Sequence, residues 1–425
     1  MRTLIRNARL IDPEAQSDTS GAVVIEGGQI VDVLHATPEG EFATVIDAKG
    51  ACLAPGMVDW GVKVSEPGER HKESFRSAGR AAAAGGVTTI VTRPDTQPAI
   101  DTPEVLEFVA RRASADSIVR VVSQAALTKG REGREMTELR FLMDAGAVAF
   151  TDACRVVADT RVYTRALTYA RGLGALVVGH VQEPSLSQGA VATSGKFASL
   201  KGLSAVPALA ERMALDRDIA LIELTGARYH ADQITTARAL PALERAKKNG
   251  RDITAGVSIH HLTLNELDVA DYRTFFKLTP PLRSEDDRMA MVEAVASGLI
   301  DVVGSFHTPQ DEESKRLPFE EAASGAVGLE TILPAVLRLY HAGHLTLPQI
   351  FRATALNPAR RLGLPGGRLA RGAPADLVLF DPDAPFVLDR ARLQSKSRNT
   401  PFDLARLQGR VRGTWVGGAR VWGDD

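Results

Sequence analysis

The sequence predicts a closed (β/α)₈ barrel of TIM type with a small β-sandwich domain formed by both termini. Three observations carry this. Eight apolar runs that read as fully buried strands alternate with helical periodicity between residues 57 and 305. Both ends of the chain are instead short β-branched runs separated by turn residues. The 425 residues are too many for one small domain and suit a barrel with an appended sheet.

At the N-terminus, Thr3–Ile5, Ala22–Ile25 and Ile30–Val33 read as strands, and EGGQ at Glu26–Gln29 closes a hairpin between the last two. At the other end Ala375–Phe380 and Gly409–Val416 are strand-like, and Gly417–Gly418 turns into Ala419–Trp422. The expected division is residues 1–54 and 365–425 as the two parts of the β domain, with the barrel over 55–364. Barrel strands are expected at Met57–Val64, Val87–Thr92, Ile118–Ser123, Ala147–Thr151, Ala175–Gly179, Ile219–Leu224, Ile253–Val257 and Ile300–Ser305. Helical periodicity is clearest over Glu73–Ala84, Pro103–Ala113, Met136–Ala145, Thr160–Gly172, Gln233–Lys248 and Asp286–Ser297. A doubly wound open sheet has little support, because no Gly-rich phosphate loop opens the first unit.

Composition narrows the function. Lys+Arg 51 against Asp+Glu 52 gives a net charge of -1, which argues against nucleic-acid and polybasic membrane binding. Two cysteines, Cys52 and Cys154, make no disulfide framework and point to a reducing compartment. No apolar run approaches the ~20 residues that span a bilayer, and the first residues lack a signal-peptide core. A cytoplasmic protein is the expectation.

In such barrels chemistry sits at the C-terminal ends of the strands. The residues there are Lys63, Ser65 and Glu66, Arg93 and Asp95, Asp152, His180 and Gln182, Glu223 and Thr225, His260 and His261, and Phe306 and His307. Four of the nine histidines fall at these ends, a convergence that suits a metal or anion site. His35 and His71 read as solvated, as does the charged run Asp311–Arg316. Cys154 near the mouth lacks a placed base and makes a poor nucleophile.

Several segments resemble the dihydroorotase family of the amidohydrolase superfamily. They are APGMVDWGVKVSEPG (Ala54–Gly68), GGVTTIVTRPDTQPAID (Gly85–Asp101), TPPLRSEDDR (Thr279–Arg288), GAVGLET (Gly325–Thr331), NPAR (Asn357–Arg360), GAPADLVLFDP (Gly372–Pro382) and SKSRNTPF (Ser395–Phe402). The resemblance spans nearly the whole chain. It implies hydrolysis or closure of a cyclic amide by zinc, held by a His-x-His pair on strand one, a carboxylate or modified lysine on strand four, histidines on strands five and six, and an Asp on strand eight that is also the base. Carried over, those positions fall on Gly61 and Lys63, Asp152, His180, Glu223 and Phe306. The substrate-binding Arg falls on Ser65 and the strand-two Asn on Asp95. His307 is retained, but the His expected three residues later is Gln310. His260–His261 matches a paired-histidine motif near the binding face.

A catalytic zinc needs three protein ligands plus an open position; counted generously, Asp152, His180 and Glu223 supply three, but the strand-one side of the cage would hold a glycine and an ammonium. Lys63 would repel a dication by several kcal/mol. Neither catalytic residues nor a cofactor are therefore expected, and Lys63, Asp95, Asp152, His180, Glu223, His260, Phe306 and His307 would line a vestigial pocket. Lys63 is expected to pair with Asp152, Glu223 or both in place of the metal. The resemblance extends to non-catalytic members that help aspartate transcarbamoylase assemble, which implies that partner and a homo-oligomer. The alternative is an active dihydroorotase or related cyclic-amide hydrolase, either with a zinc site rebuilt from Asp152, His180 and Glu223 or with no metal.

Overall fold

The computed structural model describes residues 2–36, 38 and 40–423. Five strands come first: β1 Arg2–Asp12, β2 Ser17–Glu26, β3 Gln29–Leu34, β4 Thr44–Asp47 and β5 Cys52–Pro55. The barrel follows with β6 Met57–Val62, β7 Val87–Thr92, β8 Arg120–Ser123 and β9 Leu176–Gly179. The short strands β10 Ala192–Thr193 and β11 Ala205–Val206 pair with each other, and β12 Arg228–Ala231, β13 Ile253–Ser258 and β14 Val302–Gly304 complete the barrel. Finally β15 Leu377–Val387, β16 Arg406–Val416 and β17 Ala419–Trp422 return to the β domain.

The terminal strands share one sheet in the order β17-β16-β15-β5-β1-β2-β3, with β4 also on β1. The EGGQ turn is a two-residue hairpin: Glu26 pairs with Gln29, and Gly27 and Gly28 have φ of 59° and 81°. Positive φ at both positions is what a turn matching strand twist demands. The expected sandwich is thus one continuous sheet that curls back on itself. The Ile30 N–H donates to the Ala373 carbonyl at 2.9 Å and the Gly372 N–H to the Ile30 carbonyl at 2.8 Å. Inside the curl Ile5, Val23, Ile25, Leu53, Leu377 and Trp415 form a separate apolar core.

In the barrel β6, β7 and β8 pair in parallel, as do β9, β12, β13 and β14. The fourth strand is short: the Val148 N–H donates to the Ser123 carbonyl at 3.0 Å and the Thr151 N–H to the Ala125 carbonyl at 2.9 Å on one side, and the Phe150 N–H donates to the Leu176 carbonyl at 2.9 Å on the other. The seam between β14 and β6 is closed by side chain and backbone together. Asp59 accepts the Ser305 N–H at 2.6 Å and the Ser305 hydroxyl, and the Lys63 N–H donates to the His307 carbonyl at 2.8 Å. Alternate residues fill the interior: Leu176 and Val178 join Trp60, Val302 and Phe306 inside, while Val177 packs in the main core outside.

One expected strand is wrong. Ile219–Leu224 is the end of a helix, Leu209–Thr225, whose buried residues Glu211, Ala214, Leu215, Asp218, Ile219 and Ile222 recur at helical spacing. The sixth strand is β12. The helix expected from Gln233 begins at Leu240, after a 3₁₀ turn at Ala237–Ala239. Among the described residues no helix is long and apolar enough to cross a membrane.

Candidate functional site

A cavity of about 220 Å³ opens at the C-terminal ends of the barrel strands. Lys63, Asp95, His260 and Phe306 lie in its wall with Arg93, Cys154, Gln233, His261, Thr308 and Gln310. Asp152, His180, Glu223 and His307, also expected there, are not among the wall residues.

Gly61 and Phe306, the positions of an imidazole and the catalytic carboxylate in the resemblance, occupy one another. Gly61 has φ 74°, and a Cβ built on it would lie 2.6 Å from Phe306 Cδ1 and Cε1. The ring therefore rests on the bare Cα of strand one, where a ligand side chain would have to start. Phe306 itself has φ 47°, a left-handed conformation that turns its side chain inward at the end of β14.

Lys63 does not pair as expected. Its ammonium lies 3.7 Å from both Glu69 and Asp95. Asp152 is turned to the loop after the third strand, accepting the Leu127 and Thr128 N–H groups at 3.1 and 3.0 Å and the Thr128 hydroxyl. Burial raises the Asp152 pKa, and these donors oppose the rise. Glu223 sits on the outer helix, 41% exposed, 3.7 Å from Arg251. It lies in the last turn of that helix, at the end opposite Glu211, whose carboxylate accepts from Gln182, Thr235 and Thr236.

Asp95 anchors the charged side of the cavity. The buried Arg93 grips it in a fork, Nε to Oδ1 at 3.3 Å and Nη2 to Oδ2 at 3.1 Å, and extends Nη2 to Thr308 and Nη1 to Cys154. Burial alone would raise the Asp95 pKa; Arg93, Lys63 and Arg131 outweigh it and hold the carboxylate below its ordinary range. The cavity thus carries a neutralised carboxylate.

The histidines divide into struts and an orphan. His307 accepts the Gly328 N–H at Nδ1 (3.1 Å), which leaves Nε2 to donate to buried Glu73 at 3.3 Å. Glu73 also accepts from the hydroxyls of Ser77 and Ser395, so this histidine ties strand eight to the C-terminal motif. His261 bonds Ser258 and the Pro280 carbonyl. Burial lowers the pKa of His261 and His180 to about 4. His260 stacks 5.8 Å from Phe402, has no partner at Nε2 among the described residues, and is lowered by burial to about 3. It is a neutral imidazole.

The residues do not fit a zinc site. Gly61, Lys63 and Phe306 replace three donors, and among the described residues no three His, Cys, Asp or Glu side chains stand together to hold a metal ion. Sequence reasoning missed Glu69 as a partner of Lys63. It also missed Asp232 and Gln233, which follow the true sixth strand; burial pushes Asp232 up to about 6 against the pull of Arg93. The signal was present: Gly226 caps the helix in a left-handed conformation, and Arg228–Ala231 follows directly.

A family model described as Dihydro-orotase-like matches residues 50–239, and an amidohydrolase family model matches residues 324–422. The chain is 41% identical over 419 residues to a dihydroorotase of Anaeromyxobacter dehalogenans (strain 2CP-C), covering 98% of this chain and 97% of that one. It is 38% identical to a dihydroorotase of Wolbachia sp. subsp. Drosophila simulans (strain wRi), covering 98% and 94%. Among solved structures it superposes on the L-hydantoinase from Arthrobacter aurescens with a TM-score of 0.90 at 24% identity, covering 99% and 96%, and on a D-hydantoinase from a Bacillus sp. AR9 at 0.86 and 23%, covering 99% and 95%. These structural matches bear on fold alone.

Proposed function

Because the chain belongs to the dihydroorotase-like family of amidohydrolases, we propose that it is a catalytically inert member serving pyrimidine biosynthesis as a cytoplasmic structural partner of aspartate transcarbamoylase. The observation that carries the inert half is the Phe306 ring seated on Gly61. Two positions that would hold and use a metal fill each other, and Lys63 brings a positive charge beside them. A zinc-bound water ionises near pH 7, whereas bulk water has a pKa of about 15.7. Without a metal the supply of hydroxide at neutral pH falls by roughly eight powers of ten. The buried Arg93–Asp95 fork and the His307–Glu73 strut support a scaffold reading, since both hold loops at the mouth. Self-association is part of the same proposal, and the transcarbamoylase is brought in by family resemblance.

The test has two arms. Protein purified and equilibrated with zinc should carry substoichiometric metal and leave dihydroorotate and carbamoyl aspartate unchanged. Affinity capture from the native host should retain aspartate transcarbamoylase, whose assembled form should fail to appear when this chain is deleted. Turnover above the no-protein control overturns the inert reading; an assembled transcarbamoylase in the deletion strain overturns the partnership.

A further inference from the structure

A second hollow, of about 510 Å³, shares Gln310 with the mouth cavity and is walled by Phe275, Lys315, Arg390 and the motif segment Lys396–Asn399. Its charges do not balance. The carboxylates in its wall are engaged: Asp311 lies 3.7 Å from Lys72 and 3.8 Å from His71, and Glu312 lies 2.9 Å from Arg316. Arg390 pairs with Asp403 at 3.3 Å and lies 5.3 Å over the Phe275 ring.

Lys315, Lys396 and Arg398 are left with carbonyl partners alone. The Lys315 ammonium, on a side chain 4% exposed, donates to the Thr274 carbonyl at 3.0 Å. Lys396 donates to the Arg70 carbonyl at 2.8 Å, and Arg398 to the Leu393 carbonyl. The neighbouring Lys277, 6% exposed, donates to the Glu320 carbonyl at 2.7 Å. Among the described residues none of these four cations has a carboxylate within 4 Å, although Glu320 and Glu330 act on Lys277 and Arg398 at longer range. Burial, with Lys277 adding repulsion, pushes the Lys315 pKa down to about 7. A buried ammonium without a counterion is costly to keep.

We propose that this hollow binds a small phosphate-bearing anion, held by Lys315 together with Lys396 and Arg398. A phosphate group brings close to two negative charges and three acceptor oxygens, and lysine and arginine are the side chains that take it. The concave shape and the flat Phe275 wall suit a small molecule. The inference does not depend on the transcarbamoylase reading. The opposing explanation is mechanical: the Thr274 hydroxyl also donates to the Lys315 carbonyl at 2.5 Å, so Lys315 could be a loop strut.

Thermal unfolding and calorimetric titration of the full chain separate the two. The probes are inorganic phosphate and pyrophosphate, with chloride at matched ionic strength. Pyrophosphate should raise the unfolding temperature saturably and chloride should not. Lys315→Met should unfold at the same or a higher temperature without anion, and should lose about tenfold or more in pyrophosphate affinity. Lys396→Gln changes an exposed residue and should weaken pyrophosphate several-fold; it becomes the deciding variant if Lys315→Met does not fold. The proposal fails if no anion-specific shift appears, or if Lys315→Met melts lower with pyrophosphate binding intact. It also fails if a polyglutamate peptide binds where pyrophosphate does not, which would mark the face as a dock for an acidic protein.

Discussion

A double-mutant cycle on Gly61 and Phe306 tests whether the metal-binding volume is filled. Gly61→Ala places a Cβ 2.6 Å from two ring carbons of Phe306, and the backbone there is left-handed. The conformation costs roughly 1–2 kcal/mol for an L-residue, and overpacking against a ring in a closed interior adds about 1–3 kcal/mol. The single variant should therefore lose about 2–5 kcal/mol. Phe306→Ala, at 6% exposure, should lose about 3–5 kcal/mol through its cavity. In the double variant the clash has vanished while the left-handed strain remains. The two losses should then fall short of additivity by about 1–3 kcal/mol. Urea denaturation of the four proteins measures this directly. Additivity within about 0.5 kcal/mol would mean that the ring does not limit residue 61, and the carrying observation for inertness would be gone.

Four further outcomes follow from the geometry. Lys63→Met should cost about 1 kcal/mol at neutral pH. Asp95 is held below its ordinary range, so its stabilising contribution is complete above about pH 4 and lost as pH falls through the depressed value; the variant should show a shallower acid limb in denaturation midpoints from pH 7 down to 2. Asp59 runs the other way: burial pushes it up to about 6, so its contribution is complete below about pH 4 and lost as pH rises through 6. Asp59→Asn should flatten that fall, read from midpoints between pH 4 and 7. His307→Ala removes one of the donors to the buried Glu73 carboxylate, leaving those of Ser77 and Ser395, and should lose about 1–3 kcal/mol by chemical denaturation. Glu223→Ala, on the exposed helix face, should stay within about 0.5 kcal/mol of the parent; a larger loss, or a change in any ligand binding at the mouth, would restore it to the site.

The architecture was legible because it rests on periodicity. The EGGQ turn, β7 and the helix Thr160–Leu173 lie where alternation and spacing place them. The sixth strand was not, since Ile219–Leu224 is an apolar run that belongs equally well to a helix buried on one face, and only its neighbours Glu211, Ala214 and Leu215 decide the matter. The fourth strand lies where the apolar run Ala147–Thr151 places it, with Val148 to Thr151 bonding the strands on either side. At the site, the missing strand-one imidazoles were visible in the letters. The partner of Lys63 was not: local order gives a cation and several carboxylates, while the choice of Glu69 and Asp95 depends on where Asp152 turns. Asp152 finds the Thr128 hydroxyl and two amides on a loop that precedes it by more than twenty residues, a satisfaction no spacing rule announces.

The curled sheet also bears on how the molecule is made. Strand β5 lies between β1 and β15, so a chain emerging from the ribosome exposes a ready edge at Cys52–Pro55 until Leu377 arrives. At about 5–20 residues per second, that edge waits on the order of tens of seconds while the barrel is synthesised. An open edge of this kind invites pairing with the wrong chain. Translation stalls or C-terminal truncations should therefore leave a product that clumps through the Cys52–Pro55 edge, however sound its barrel.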